Sequence, residues 1–286
     1  MSLIHRIAYM RLRTILLITI VVVLIPMYTP LSAILPLPVS DNVMKAYEYW
    51  QTIKPGDNIW ISALVSAEYW GQHGGALVGE FGMILQRGGR VFFTGNDPTA
   101  IMNMDRLVDA TPIAKDLQAQ GKGYGVNWIF LAFHPQGESE MYALLANLQI
   151  GSKDAKFNKP YSEYSIMTNI KTAKDFKALT SYSYDFSFWI RIFVDVYGGG
   201  YVPIWTEDFL VQSLIWFNLG RAQGTIMGIN DCGAFEKLSS SGFKPASVIA
   251  TTNNLIGLLF IGALIIANLR FLEERKAAGI MGKVKS

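Results

Sequence analysis

Two apolar runs, Asn58-Ile-Trp-Ile-Ser-Ala-Leu-Val65 and Arg90-Val-Phe-Phe-Thr-Gly95, stand on either side of a Gly-rich segment, Gly71 to Gly89, that is long enough for a helix. Short apolar runs around a helical segment read as β-α-β, and such a crossover makes its strands parallel neighbours. Their near-continuous apolar character is what strands covered on both faces require. The middle of the chain is therefore expected to be α/β.

Upstream of the first run, Ser40 can cap a helix from Asp41 to about Lys54 that puts Val43, Tyr47, Trp50 and Ile53 on one face. Pro55-Gly-Asp57 then turns the chain into the first strand. Downstream, Asn96-Asp-Pro98 forms a turn, and Ala100 to Ala119 reads as a helix interrupted near Pro112. Gly121-Lys-Gly-Tyr-Gly125 precedes a third strand, Val126 to Phe133. A dinucleotide fingerprint needs its glycines after a strand and opening a helix, so these glycines read as a turn.

A helix from Ser139 to about Leu148 follows, then an exposed polar loop from Gly151 to Tyr164. Short helical turns at Ser165 to Ile170 and Thr172 to Asp175 lead to a fourth strand, Ala178 to Tyr184. Phe186 to Tyr197 has its apolar residues at spacings of three and four, an amphipathic helix too short and too charged to cross a membrane. Gly198-Gly-Gly200 releases the fifth strand, Tyr201 to Trp205, where Pro203 favours an edge position. Helices at Phe209 to Leu219 and Gly224 to Leu238, and a Ser239-Ser-Ser-Gly242 linker, complete the middle. Five strands alternating with helices over residues 41–244 predict one open, mostly parallel, Rossmann-like sheet with helices on both faces.

The ends have another character. The 286-residue chain is 51% hydrophobic and 16% charged, against about 25% charged in soluble domains. Thr14 to Ser40 holds no charged side chain, and neither does Pro245 to Leu269. A helix needs about 20 apolar residues to cross the hydrocarbon layer, so residues 1–40 read as a tail and first transmembrane helix, 245–269 as a second, and 270–286 as a closing tail. Arg6, Arg11 and Arg13 precede the first span, while Arg270, Arg275, Lys276, Lys283 and Lys285 follow the second. The positive-inside bias then places both termini in the cytoplasm and the middle domain outside it, on the cell membrane. A cleaved leader ending near Leu31-Ser-Ala33 is the competing reading of the first span.

The net charge of +3 is small and gives no sign of nucleic-acid binding. Cys232 is the single cysteine, so no intrachain disulfide forms, and no Asn-x-Ser/Thr acceptor occurs. Both absences suit a prokaryotic envelope protein.

Leu37-Pro-Val-Ser40, Pro55-Gly-Asp57, Gly88-Gly-Arg-Val91, Tyr161-Ser-Glu-Tyr-Ser-Ile-Met167 and the Gly-rich stretch Gly220 to Glu236 together resemble an uncharacterised archaeal and bacterial family. Its members look like two-span membrane proteins with an α/β domain between the spans. The resemblance covers roughly Leu37 to Asn268 and implies architecture. It implies no catalytic residue.

In an open α/β sheet, ligands bind past the carboxyl ends of the strands. A candidate cleft there would be lined by Ser66, Glu68, Asn96, Asp97, His134 and Glu138, with Glu207 nearby. His134 with Glu138 could form an acid-base pair, and Glu68 with His73 could help hold a metal. Neither His-Glu-x-x-His nor a Gly-x-Ser-x-Gly elbow is present, and polar residues at strand ends are ordinary caps and turns. No catalytic, metal or cofactor residue is assigned, and no cofactor is called for.

Other features bear on association. Gly71, Gly75 and Gly79 recur every four residues, and each interior glycine costs about 1 kcal/mol relative to alanine. Close packing of that helix on the sheet would offset the loss. So would close approach to a helix of a neighbouring subunit. Phe186 to Phe217 is crowded with aromatics, among them Trp189, Phe193, Trp216 and Phe217, which a core can absorb or an interface can display. Asn253 and Asn254 fall in the second span, where amides are unfavourable unless paired or near its edge. The leading expectation is a non-enzymatic, doubly anchored subunit in contact with membrane lipid, in a homo-oligomer or with other membrane proteins. The alternative is an extracytoplasmic ligand-binding or enzymatic domain that uses the strand-end cleft.

Overall fold

A computed structural model describes residues 12–29, 31–63, 70–95, 99–131, 138–149, 153–182, 190–205 and 217–277. The chain divides into two units, residues 37–247 and the two ends.

The larger unit is built on a six-stranded sheet: β1 (Asn58–Ala63), β2 (Arg90–Gly95), β3 (Trp128–Phe130), β4 (Ala178–Tyr182), β5 (Gly200–Trp205) and β6 (Ile226–Met227). Every neighbouring pair runs parallel, in the order β3-β2-β1-β4-β5-β6. This is the strand order of a doubly wound dinucleotide-type fold. Register puts Trp60, Phe92, Ile129, Leu179 and Tyr201 side by side on one face, where they carry the main apolar cluster. Phe93 and Trp128 point to the opposite face and meet Phe81 at ring distances of 5.5 and 5.7 Å.

Local sequence explains most boundaries. The Ser40 hydroxyl accepts from the Val43 N–H at 3.3 Å and opens the helix Asp41–Gln51. Helix Trp70–Gln86 supplies the β1-to-β2 crossover. The next helical stretch breaks as Pro112 predicts: Ala100–Ala110 ends at extended Thr111, and Pro112–Ala119 starts afresh with proline in its first turn. Gly121 and Gly125 carry φ of 71° and 80°, which only glycine adopts without strain, so this segment is a turn as expected. Short helix Glu138–Ala146 follows β3. Thr172 and Asp175 form a capping box around a single 3-10 turn.

Four expectations need correction. Ile226–Met227 are a sixth strand, because the helix placed at Gly224 starts only at Gly228 and runs to Leu238. Two residues are too few to show a period. Pro203 is not on an edge strand, since β5 lies between β4 and β6; β6 pairs only at Ile204 and Trp205, past the residue that lacks an N–H. The amphipathic segment is a π-helix over Ile190–Tyr197, and its Asp195 pairs with Arg221. The polar loop after Gly151 is not wholly exposed, because Asp154 is 2% exposed.

Asp154 organises that loop. Its carboxylate accepts from the Tyr124 and Tyr164 hydroxyls and from the N–H groups of Lys156, Phe157 and Lys159, all at 2.7 to 3.0 Å. Burial alone would raise its pKa; the Phe157 N–H, the Tyr124 hydroxyl and the other donors hold it below the usual carboxylate range. A depressed folded-state pKa contributes stability above the unfolded value and loses it as pH falls. Asp154→Ala should therefore lower stability by about 2–3 kcal/mol at neutral pH. In thermal unfolding of the detergent-solubilised chain, that is a drop of roughly 5–10 °C that narrows toward pH 3.

The second unit holds helix Leu12–Tyr28, the short helix Leu31–Ile34 and most of helix Pro245–Ala277. Pro245 to Arg275 is long and apolar enough to cross a membrane, and its apolar window is not buried inside the protein. Leu12–Tyr28 has 17 residues, about 25 Å of helix against a hydrocarbon layer of about 30 Å.

For the helices used below we number α1 (Leu12–Tyr28), α2 (Leu31–Ile34), α3 (Asp41–Gln51), α4 (Trp70–Gln86), α5 (Ala100–Ala110), α6 (Pro112–Ala119), α7 (Glu138–Ala146), α8 (Gly228–Leu238) and α9 (Pro245–Ala277).

Candidate functional site

Strand order reverses at β1, which has β2 on one side and β4 on the other. A crevice at the carboxyl ends of this pair, where Ala63 and Tyr182 lie in register, is where a doubly wound fold binds ligands. On one face of the sheet these ends carry hydroxyls. The Trp60 indole N–H donates to Thr94 Oγ1 at 2.9 Å, and the Ser181 and Tyr201 hydroxyls are 2.6 Å apart.

The other face carries a buried acid. Tyr182 donates to Glu80 Oε2 from β4 at 3.0 Å, and Thr180 approaches the same oxygen at 3.4 Å while donating to the Val202 carbonyl at 2.8 Å. His73, two turns earlier on α4, sets its ring edge-on to Tyr182 at 6.1 Å. Glu80, His73 and Tyr182 are fully buried. Burial pushes the Glu80 carboxyl up to about 8, with the Tyr182 and Thr180 bonds pulling the other way. Burial pushes His73 down to about 4. At neutral pH this is a set of uncharged donors and acceptors beneath the strand ends. A neutral carboxyl can donate a proton or a hydrogen bond, but none of the three side chains touches solvent.

A second buried acid lies between α4, α8 and the start of α9. Glu236 accepts from the N–H groups of Ala246 and Ser247 at 3.0 and 2.7 Å and from the Ser247 hydroxyl at 2.7 Å. Burial raises this carboxyl to about 7 against the pull of those bonds. Gly75 faces it: a Cβ there would land on the Glu236 carboxylate and 2.6 Å from the Phe243 carbonyl oxygen. One turn on, a Cβ at Gly79 would press on the Ser239 side chain. The glycine period therefore serves α4 against α8 within this chain. It is not the sheet that requires it at Gly75 and Gly79, and that surface is not free for a neighbouring subunit.

Gly75→Ala should cost about 1–3 kcal/mol by overpacking. The measurement is the melting temperature of the full chain in detergent, expected to fall by several degrees. An unchanged melting temperature would mean that α4 and α8 are not in contact as described.

The expected site residues fare differently. Ser66, Glu68, Asn96, Asp97, His134 and Glu207 lie outside the described residues, as do Trp189 and Trp216. Glu138 opens α7, with its side chain outside the description. Phe193 is fully buried in the cluster under Tyr201, so it belongs to the core and not to an interface. Phe217 is half-buried beneath the Lys45 ammonium, 4.8 Å from its ring. A Cβ on Gly71 would meet open space. Asn253 and Asn254 are exposed on α9. His73 faces Tyr182, and among the described residues no three His, Cys, Asp or Glu side chains come together to hold a metal.

Sequence reasoning passed over Glu80, Tyr182 and Glu236. Glu80 carried a signal, as the one carboxylate in Trp70–Gln86 and the one polar residue between Gly74 and Leu85. Glu236 carried none, because nothing local ties it to Ser247.

Comparison with protein-family models, with curated proteins and with solved structures finds no match.

Proposed function

We propose that the protein is a doubly anchored, non-enzymatic subunit of a membrane-embedded envelope assembly. In this reading α1 and α9 lie in the bilayer, both termini are cytoplasmic, and the α/β domain is presented outside. The basic residues flanking the two apolar helices support that orientation. The observation that carries the assembly is the pair Asn253 and Asn254, exposed on an apolar helix long enough to span. At 3.6 residues per turn they fall on the side of α9 away from Leu259, Gly262, Ala263 and Ile266, which line a groove with α1. An amide both donates and accepts, so a second copy, or a partner helix with a polar residue at that depth, would satisfy both groups at about 1 kcal/mol per contact.

Mass photometry of the detergent-solubilised chain tests it. Oligomers are expected, and the double change Asn253→Leu and Asn254→Leu should shift them toward monomer. A wild-type chain that stays strictly monomeric sinks the reading. Protease added to intact cells should remove the α/β domain and leave it intact in inverted vesicles.

A second reading is favoured by strand order. The reversal at β1 supports a ligand crevice at the carboxyl ends of β1 and β4, and a metabolite that raises the melting temperature of the monomer would favour it.

A further inference from the structure

Within the unit formed by the two ends, α1 and α9 leave a groove of about 570 Å³. Its α9 side recurs at spacings of three and four from Leu259 to Glu274, so one helix face lines it. That face is low where it is apolar: Gly262, Ala263 and Ala267 offer at most a methyl group to the space beside Ile15 and Ile18 of α1. A space of this size lined by aliphatic carbon gives water no partners. What fills it must be apolar.

The groove changes character at one end. Arg270 and Glu274 close it, and the Arg270 Nε donates to Glu274 Oε1 at 2.8 Å, which steadies the guanidinium there. Arg275, next along, stacks over Phe271 at 4.8 Å. From Leu259 to Arg270 the helix rises about 16 Å, close to half of the roughly 30 Å hydrocarbon layer. Apolar walls one leaflet deep that end at an arginine, itself paired with Glu274, with Arg275 and Lys276 following in the chain, have the polarity of a single anionic lipid. A guanidinium grips a phosphate through paired donors, and basic residues beside a span attract anionic headgroups.

We propose that this groove binds one anionic phospholipid of the leaflet beside the two termini, with an acyl chain along Gly262, Ala263 and Ala267 and its phosphate at Arg270. The inference rests on the reading of α1 and α9 as membrane helices.

The test uses the full chain in detergent, given phosphatidylglycerol or phosphatidylcholine of matched chains and weighed by native mass spectrometry. One phosphatidylglycerol per chain is expected, held about tenfold more tightly than phosphatidylcholine, the difference one charge-assisted contact makes. The double change Ala263→Leu and Ala267→Leu fills the groove with helix-compatible carbon and should abolish the adduct. Arg270→Gln should leave an adduct but erase the headgroup preference, which keeps the test decisive if the filled variant fails to fold. An undiminished adduct in the filled variant overturns the proposal, as does equal binding of both lipids by the wild type. Loss of oligomers without loss of lipid in the filled variant would show that a helix of a second copy occupies the groove, and overturns it too. A chain that stays soluble and monodisperse without detergent refutes the membrane reading itself, an outcome distinct from a detergent-requiring chain that binds no lipid.

Discussion

Glu236→Ala should be the most damaging single truncation in the α/β domain, lowering its stability by about 3–4 kcal/mol. The carboxylate is buried and accepts from two backbone N–H groups at the start of α9 and from the Ser247 hydroxyl. Alanine orphans the two N–H groups, while the Ser247 hydroxyl keeps the Gly233 carbonyl at 2.9 Å, and each buried donor left without a partner costs about 1–3 kcal/mol. Water entering the space left by the side chain recovers part of the loss. For a domain of this size that corresponds to roughly 6–12 °C in melting temperature. Hydrogen exchange gives the local signature: the Ala246 and Ser247 amides should exchange much faster in the variant, while those of β1 and β4 change only with global stability. Protected amides at both positions in the alanine variant would show that the carboxylate does not cap the helix. Gly75→Ala should cost less in that background than in the wild type, because one of the two groups its methyl strikes is gone.

What the sequence made legible follows from the range of the interactions involved. Ser40, Thr111-Pro112, Gly121 and Gly125 act through bonds or φ values within a few residues, and each marked its turn or cap where the structure has it. The parallel α/β class was legible because apolar runs such as Ile59 to Ile61 and Val91 to Phe93 are covered on both faces. β6 was not, because Ile226 and Met227 become a strand only through pairing with Ile204 and Trp205. The glycines were seen as small but assigned the wrong neighbour: the partner of Gly75 is Glu236, which only the folded chain brings to it. The same holds for Glu80 and Tyr182, which are far apart in sequence and joined by a bond across two elements. Of the candidate cleft, the sheet order that would place it is described, while the side chains chosen for it lie outside the described residues.

Between pH 6.5 and 8 the wild-type chain should lose about 2 kcal/mol of stability that Glu80→Gln does not lose. Folding raises the Glu80 carboxyl from 4.5 to about 8 by burying it, against the pull of its bonds to Tyr182 and Thr180. Above pH 4.5 the unfolded chain releases this proton and the folded chain keeps it, so stability falls as pH rises until the folded carboxyl ionises near 8. Each pH unit in that window is worth about 1.36 kcal/mol. Glu236, raised to about 7, acts in the same direction over the lower part of the window. His73 acts in the opposite direction. Depressed to about 4 from 6.5, it makes stability rise with pH between those values and is silent above them. Tyr182 and Cys232 lie on the same side of the sheet, and burial holds both well above their ordinary values, so neither titrates below pH 8. The difference between wild type and Glu80→Gln over this interval isolates Glu80. Tyr182→Phe removes a hydrogen bond that favours the charged form, so it should push the fall toward higher pH. Chemical denaturation of the full chain in a fixed detergent, followed by circular dichroism at half-unit pH steps, measures both variants. Parallel profiles for wild type and Glu80→Gln would mean that this carboxyl ionises normally in the folded state. The buried acid beneath the carboxyl ends of the strands would then have to be open to water.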